Sequence, residues 1–376
     1  MSKTSQLKLN YSKSINLLKV FNNDKNPKKI NLFSNYLFDK KNNPFIFNSV
    51  INAKEYSSFR SNFNEYIPHF GNKEFLNQTN NLYFKNNQVN YKNIQTFGKI
   101  NGLKITAEFL KKNYNHENLL ISLPYKNYDY VERIFSSNEF TTTTYNTENI
   151  IESIKLLNDD TIILLSNNLD GYTIPINNWK EIFNLCKEKN LFIVFDFKML
   201  GLNNDYITHE TEALNLLNNM NYQSIILTSY SQTLTLFNDR IGNLFFCGNS
   251  KDETSNMKYL FKKNIMENYF SPPVYPSVVV SILLSNEVLF NVWKQEMHNF
   301  YINIRNNRKY LKSLLETKFN KSYDSIVNQT GLYYHIDLSN ESILEMRRKG
   351  LYIDNKINLS AINEDNIKYI VDNWKN

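Results

Sequence analysis

A chain of 376 residues is longer than one hydrophobic core usually organises, so a large domain with a smaller companion is expected. The net charge of +7 is spread over interleaved Lys and Glu with no long run of one sign, which argues against a nucleic-acid partner. Two cysteines, Cys186 and Cys247, exclude a disulfide framework; the scattered histidines lack metal-site spacing, so no metal is expected, and no apolar stretch is long enough for a membrane span. A reducing compartment fits, cytoplasmic in the first instance. The alternative is mitochondrial, because the segment before Asp24 carries Ser and Lys and no acid.

In chain order, residues 1–14 read as a leader or arm and 15–48 as the first part of the smaller domain. Short apolar runs then recur at 119–123, 162–165, 191–195 and 224–227, each the length of a buried strand. Amphipathic segments such as 178–186 and 212–217 lie between them at helical spacing. Strand alternating with helix predicts an α/β domain over 49–290, with a mostly parallel sheet flanked by helices. After the Pro-rich stretch 271–276, residues 278–318 contain no Gly or Pro and predict one continuous helix bridging two domains. The tail predicts a strand at 332–338, a helix at 343–348, a strand at 357–359 and a last helix opened by Asn363, Glu364 and Asp365. Residues 291–376 are too few to fold alone, so this α+β tail should pack with residues 29–48 from the other chain end.

The stretch Leu227-Thr-Ser-Tyr-Ser-Gln-Thr-Leu-Thr-Leu-Phe-Asn-Asp-Arg-Ile-Gly242 resembles the cofactor-anchoring segment of class I aspartate aminotransferases, which are fold-type I, pyridoxal phosphate-dependent proteins. Blocks at 27–32, 65–68, 95–97, 327–334 and 354–361 resemble the same family in order, so the likeness runs from about residue 15 to 374. The resemblance implies a large domain with a mixed, mostly parallel sheet and a small α+β domain from both chain ends. It also implies a homodimer with its sites at the subunit interface.

Carried over position by position, the resemblance assigns cofactor contacts to Tyr66, Asn168, Asp196, Ser229 and Arg240. Ser229 and Arg240 match phosphate ligands, and Tyr66 matches a tyrosine reaching the phosphate from the neighbouring subunit. Asp196 matches the partner of the pyridinium nitrogen, and Asn168 the partner of the ring hydroxyl. Each also has a structural reading: Asn168 and Asp196 as ties at strand ends, and Arg240 as an ion pair with Asp239.

The departures are as consistent. Gln232 stands where the lysine that forms the Schiff base belongs, and an amide nitrogen is not a nucleophile. Met199, Tyr128 and Val131 replace the tyrosine, tryptophan and histidine around the ring, and the phosphate cradle reads Gly98-Lys99-Ile100-Asn101. Lys356 replaces the arginine for the substrate α-carboxylate, and Met266 the one for the side-chain carboxylate; lysine lacks the planar fork of arginine. Lys198 stands two residues after Asp196, as a relocated anchor, as a counter-ion of Asp196 filling the vacated pocket, or as a side chain pointing to solvent.

Together these departures imply a degenerate member of the family with no cofactor, or with pyridoxal 5'-phosphate alone if any of the site survives, acting as a homodimer or a subunit of a larger complex. The competing readings are an aminotransferase that uses a non-standard lysine such as Lys198 or Lys99, and a binder of another anionic metabolite.

Overall fold

The computed structural model describes residues 13–59, 64–84, 91–114, 119–125, 128–169, 171–204, 207–336 and 338–375. The expected leader lies, up to residue 12, outside the described residues. The chain forms two compact units. The larger comprises Phe45–Arg305 with Asn328–Leu332, and the smaller comprises residues through Pro44 with Asn306–Val327 and Tyr333–Asn376.

In the larger unit seven strands make one sheet: β1 (Tyr91–Thr96), β2 (Leu120–Pro124), β3 (Thr141–Tyr145), β4 (Ile162–Ser166), β5 (Phe192–Asp196), β6 (Ser224–Ser229) and β7 (Gly242–Cys247). Their order is β1-β7-β6-β5-β4-β2-β3. Only β7 runs antiparallel to its neighbours β1 and β6; the remaining pairs are parallel. Strands β4, β5 and β7 are buried along their whole length, which is why β4 and β5 read as apolar runs in the sequence. The edge strand β3 is instead a row of threonines, largely exposed.

Alternation along β5 sorts its residues between two faces. Phe192 and Val194 join the core that holds Ile94, Leu103, Phe109 and Phe261, whereas Phe195 packs on Trp179 at 5.2 Å between ring centres. Trp179 is one of the buried residues of the helix Ile176–Glu188, which with its partners covers that second face. On the first face the helices Gly98–Asn113 and Lys251–Asn268 meet through Phe109 and Phe261, stacked 4.2 Å apart. Ser250 caps the second of these helices by accepting from the backbone N of Glu253 at 3.2 Å.

In the smaller unit Ile30–Asn31 pairs in parallel with Leu351–Tyr352, and Tyr333–His335 pairs antiparallel with Lys356–Asn358. Asn358 ties the two chain ends together. Its backbone N donates to Leu32 O at 2.7 Å, and its side-chain amide donates to Ser34 O and Tyr36 O at 2.8 and 2.6 Å.

Two expectations need correction. The continuous helix over 278–318 is two helices, Val274–Ser285 and Glu287–Phe319, bent by 92°. Asn286 makes the break without Gly or Pro: its backbone is extended, and its side chain accepts from the N of Leu289 at 3.1 Å, capping the second helix. The last helix is Ile367–Asp372, and the turn leading into it is capped by Asn363 as expected: its Oδ1 accepts from the N of Asp365 and of Asn366, and its backbone O from the N of Ile367. The boundary drawn at residue 290 falls inside the helix Glu287–Phe319, and the compact units divide after Arg305. Among the described residues no single helix is long and apolar enough to cross a membrane.

Candidate functional site

The carboxyl ends of β4, β5 and β6 place Ser166, Asp196 and Ser229 along one edge of the sheet, where an α/β sheet of this kind opens a crevice. β1 ends there too, since Gly242 faces both Thr96 and Ser229 in register. A Cβ on Gly242 would come within 2.7 Å of Thr228 O and 2.9 Å of the Gly98 Cα, so only glycine lets the helix Gly98–Asn113 begin this close to β7. Gly98 itself has φ of +72°, and the Nη2 of Arg240 lies 3.1 Å from where its Cβ would stand.

Arg240 is exposed and donates to Phe237 O at 3.3 Å, while the Oγ of Ser229 accepts from the N of Ser231 at 3.3 Å. Both expected phosphate ligands thus flank Gly242 at the sheet edge.

Asp196 ends β5 with no exposed surface. Its Oδ2 is met by two ammonium groups, Lys99 Nζ at 3.1 Å and Lys198 Nζ at 3.7 Å. Its Oδ1 is buried and accepts no hydrogen bond from the described residues. Lys99 is the second residue of the helix Gly98–Asn113, and its ammonium also lies 5.4 Å from the centre of the Tyr130 ring. Burial works against the charge of Lys99, but the Asp196 carboxylate outweighs it and holds the ammonium protonated beyond the ordinary lysine range. Lys198 Nζ donates to the Tyr128 hydroxyl at 2.5 Å. Burial, reinforced by Asp196, pushes that hydroxyl well above the usual tyrosine range, so Tyr128 stays neutral.

The loop after β5 is held by residues that the sequence did not single out. Asn167 accepts from the N of Lys198 at 2.7 Å and donates to its carbonyl at 2.9 Å. Asn203 donates to the carbonyls of Lys198 and Met199, the latter residue in the left-handed region at φ of 51°. Below them Glu210 is buried, its Oε1 accepting from the backbone N of Gly201, Asn203 and Asn204, each at 3.0 Å. No local pattern marks Glu210 for this task. Its role exists only once the loop has closed over it.

Asn168 belongs to the same network. Its two N–H bonds go to Asn203 Oδ1 at 2.9 Å and Thr330 Oγ1 at 3.2 Å, and its Oδ1 accepts from the N of Gly171 at 3.0 Å. The amide expected at a ring hydroxyl is therefore committed within the protein. Gln232 is half-buried on the short helix Tyr230–Thr233. That helix is fixed by the fully buried Tyr230 and by Trp293, whose Nε1 donates to Thr233 O at 3.0 Å.

Val131 is an ordinary core residue, Met266 is 43% exposed, and Tyr66 is 87% exposed with its ring 5.7 Å from that of Phe270. Lys356, the expected substrate contact, lies in the smaller unit, where its Nζ is 3.2 Å from Asn35 Oδ1 and 4.0 Å from the centre of the Tyr333 ring. Cys186 and Cys247 are buried free thiols.

These residues fit pyridoxal phosphate in part. Asp196 Oδ1 offers a buried acceptor for a ring N–H, and Ser229 and Arg240 offer donors for a phosphate. Covalent attachment is not met at position 232, where the side chain has no amine.

The family model of aminotransferase class I and II matches residues 27–374. The chain belongs to that family. The class I and II aminotransferases similar to it include the aspartate aminotransferase of Escherichia coli (strain K12), 25% identical over 375 residues with 94% of each chain covered. The mitochondrial aspartate aminotransferase of Dictyostelium discoideum is 24% identical, with 93% of this chain and 87% of that protein covered.

Among solved structures, the aromatic-amino-acid aminotransferase from Burkholderia pseudomallei covalently bound to pyridoxal phosphate matches with a TM-score of 0.92 at 21% identity, covering 99% of this chain and 98% of that one. The aspartate aminotransferase from Saccharomyces cerevisiae cytoplasm matches with a TM-score of 0.92 at 18% identity, covering 99% and 97%. The fold is that of the fold-type I, pyridoxal phosphate-dependent aminotransferases, as the sequence resemblance implied. Membership of this family gives no support to the expectation that no cofactor is bound.

Proposed function

We propose that this aminotransferase-family chain has given up transamination, fills its ring site with its own lysines, and acts as a binding or assembly protein. The observation that carries this reading is Asp196, neutralised by Lys99 and Lys198, in a site whose anchoring position holds Gln232. Neither lysine is a good substitute anchor. In pyridoxal phosphate the ring nitrogen and the aldehyde carbon are on opposite sides of the ring, so an amine paired with Asp196 stands at the nitrogen end. Lys99 is also held as an ammonium, which cannot attack a carbonyl.

Residual cofactor would be held without a covalent bond, by Ser229 and Arg240 at its phosphate and Asp196 at its ring nitrogen. When bound, the ring supplies an electron sink. The expected result is a visible band that desalting removes, with no peptide labelled after borohydride reduction. A stable label on one lysine, Lys99 or Lys198 above all, overturns this reading in favour of a working enzyme.

The same reading takes the chain as a homodimer. It is supported by the exposed aromatics of the larger unit: Phe59 at 86%, Tyr66 at 87% and Phe270 at 48% exposure. Sedimentation should give a dimer that Tyr66→Asp with Phe270→Asp converts to monomer; a wild-type monomer at micromolar concentration refutes it.

A further inference from the structure

Along the edge strand β1 the larger unit carries a groove of about 800 Å³, walled by the segment around Phe70, the helix Lys73–Tyr83, the start of β1 and the helix Lys251–Asn268. That volume is within the range of small-molecule sites. We propose that this groove binds a small polyanion of the phosphate-ester class.

Lys73, Lys92 and Lys258 line it, and among the described residues no carboxylate does. Some lysines elsewhere are neutralised, as Lys54 is by Asp239 and Lys112 by Glu267. Among the described residues none of the three groove lysines makes an ion pair. Three like charges around one concavity raise its potential and favour an anion.

Lys258 is the most constrained of the three. It is half-buried, and its ammonium lies over the Phe70 ring at 4.4 Å. Burial and then the charge of Lys92 lower its proton affinity, as expected for two ammonium groups facing a common space without an intervening anion. The exposed Asn77 adds an amide donor at the rim, and Tyr91 supplies an aromatic wall for the organic part of an ester.

The groove is separate from the crevice described above. Lys92 stands near the amino end of β1, and Thr96, beside Gly98, at its carboxyl end.

The test is calorimetric titration of the full chain with inorganic pyrophosphate and with adenosine triphosphate, alongside thermal unfolding. Saturable binding is expected, weakening as salt is raised, and at least about tenfold weaker in Lys92→Ala and in Lys258→Met. Lys258→Met keeps the stem over Phe70 and, by relieving repulsion, should raise the unfolding temperature of the unliganded protein. Arg240→Ala should leave the affinity unchanged, which separates this site from the phosphate ligands of the proposed cofactor site. Tighter binding of adenosine triphosphate than of pyrophosphate supports a role for the aromatic wall. No binding, binding unaffected by both lysine changes, binding lost in Arg240→Ala, or stabilisation that sulfate reproduces at equal ionic strength each overturns the proposal.

Discussion

Replacing Asp196 by Asn is expected to cost about 3–5 kcal/mol of folding free energy, because it leaves buried charge without its partner. The carboxylate has no exposed surface, and the side chains of Lys99 and Lys198 are each only 21% exposed. An amide in its place would leave two ammonium groups facing each other. Lys99→Met in the same chain should then return much of the loss, since it removes the nearer charge and keeps the apolar stem.

Urea unfolding of the two single variants and the double variant gives the coupling directly, expected at about 2 kcal/mol or more. If the double variant is no more stable than Asp196→Asn, the lysine is not neutralising the carboxylate and the self-filled site is wrong. The result bears on function, because a site kept open for a ring cation would lose little stability in the cofactor-free protein when its acceptor is changed.

Glu210→Ala should cost about 3–4 kcal/mol, since it strands three backbone N–H groups and the Asn203 amide in a buried loop. The carboxyl also gives the protein a pH dependence. Burial raises its pKa from 4.5 to about 8, against the hydrogen bonds from Asn203, Asn204 and Gly201. The folded state therefore keeps a proton that the unfolded chain has already released above pH 4.5. Stability from this group is complete below pH 4.5 and is lost as pH rises to about 8, by about 1.4 kcal/mol per pH unit between those limits.

Glu210→Gln carries no titrating proton and should flatten that slope while keeping acceptors for the backbone donors. Denaturant midpoints measured across the window decide it. An equal slope in wild type and Glu210→Gln assigns the pH dependence elsewhere.

The strands of the sheet were legible because parallel strands covered on both faces must be apolar at nearly every position, as β4 and β5 are. The break at Asn286 was not. A capping asparagine has the same composition whether it ends one helix and starts another or merely rides on the surface of a single one. Lys99 shows the limit more sharply. In the sequence it is one residue of an altered phosphate cradle, and its partner Asp196 lies far along the chain on another strand. Their 3.1 Å contact depends on helix and strand ending at the same sheet edge.

What the sequence determined by itself was the family, the α/β sheet and the absence of an amine at position 232. These follow from residue identity and from patterns with a period of a few residues, which no later packing can alter. Only the tertiary structure decided what the remaining polar residues do: that Asn168 is committed to Asn203 and Thr330, that Lys356 is engaged with Asn35 and Tyr333, and that Glu210 supports the loop beneath Lys198. A polar side chain takes whichever partner folding brings within about 3 Å, and that partner is usually distant in sequence, so its role is set by where the chain closes rather than by its neighbours.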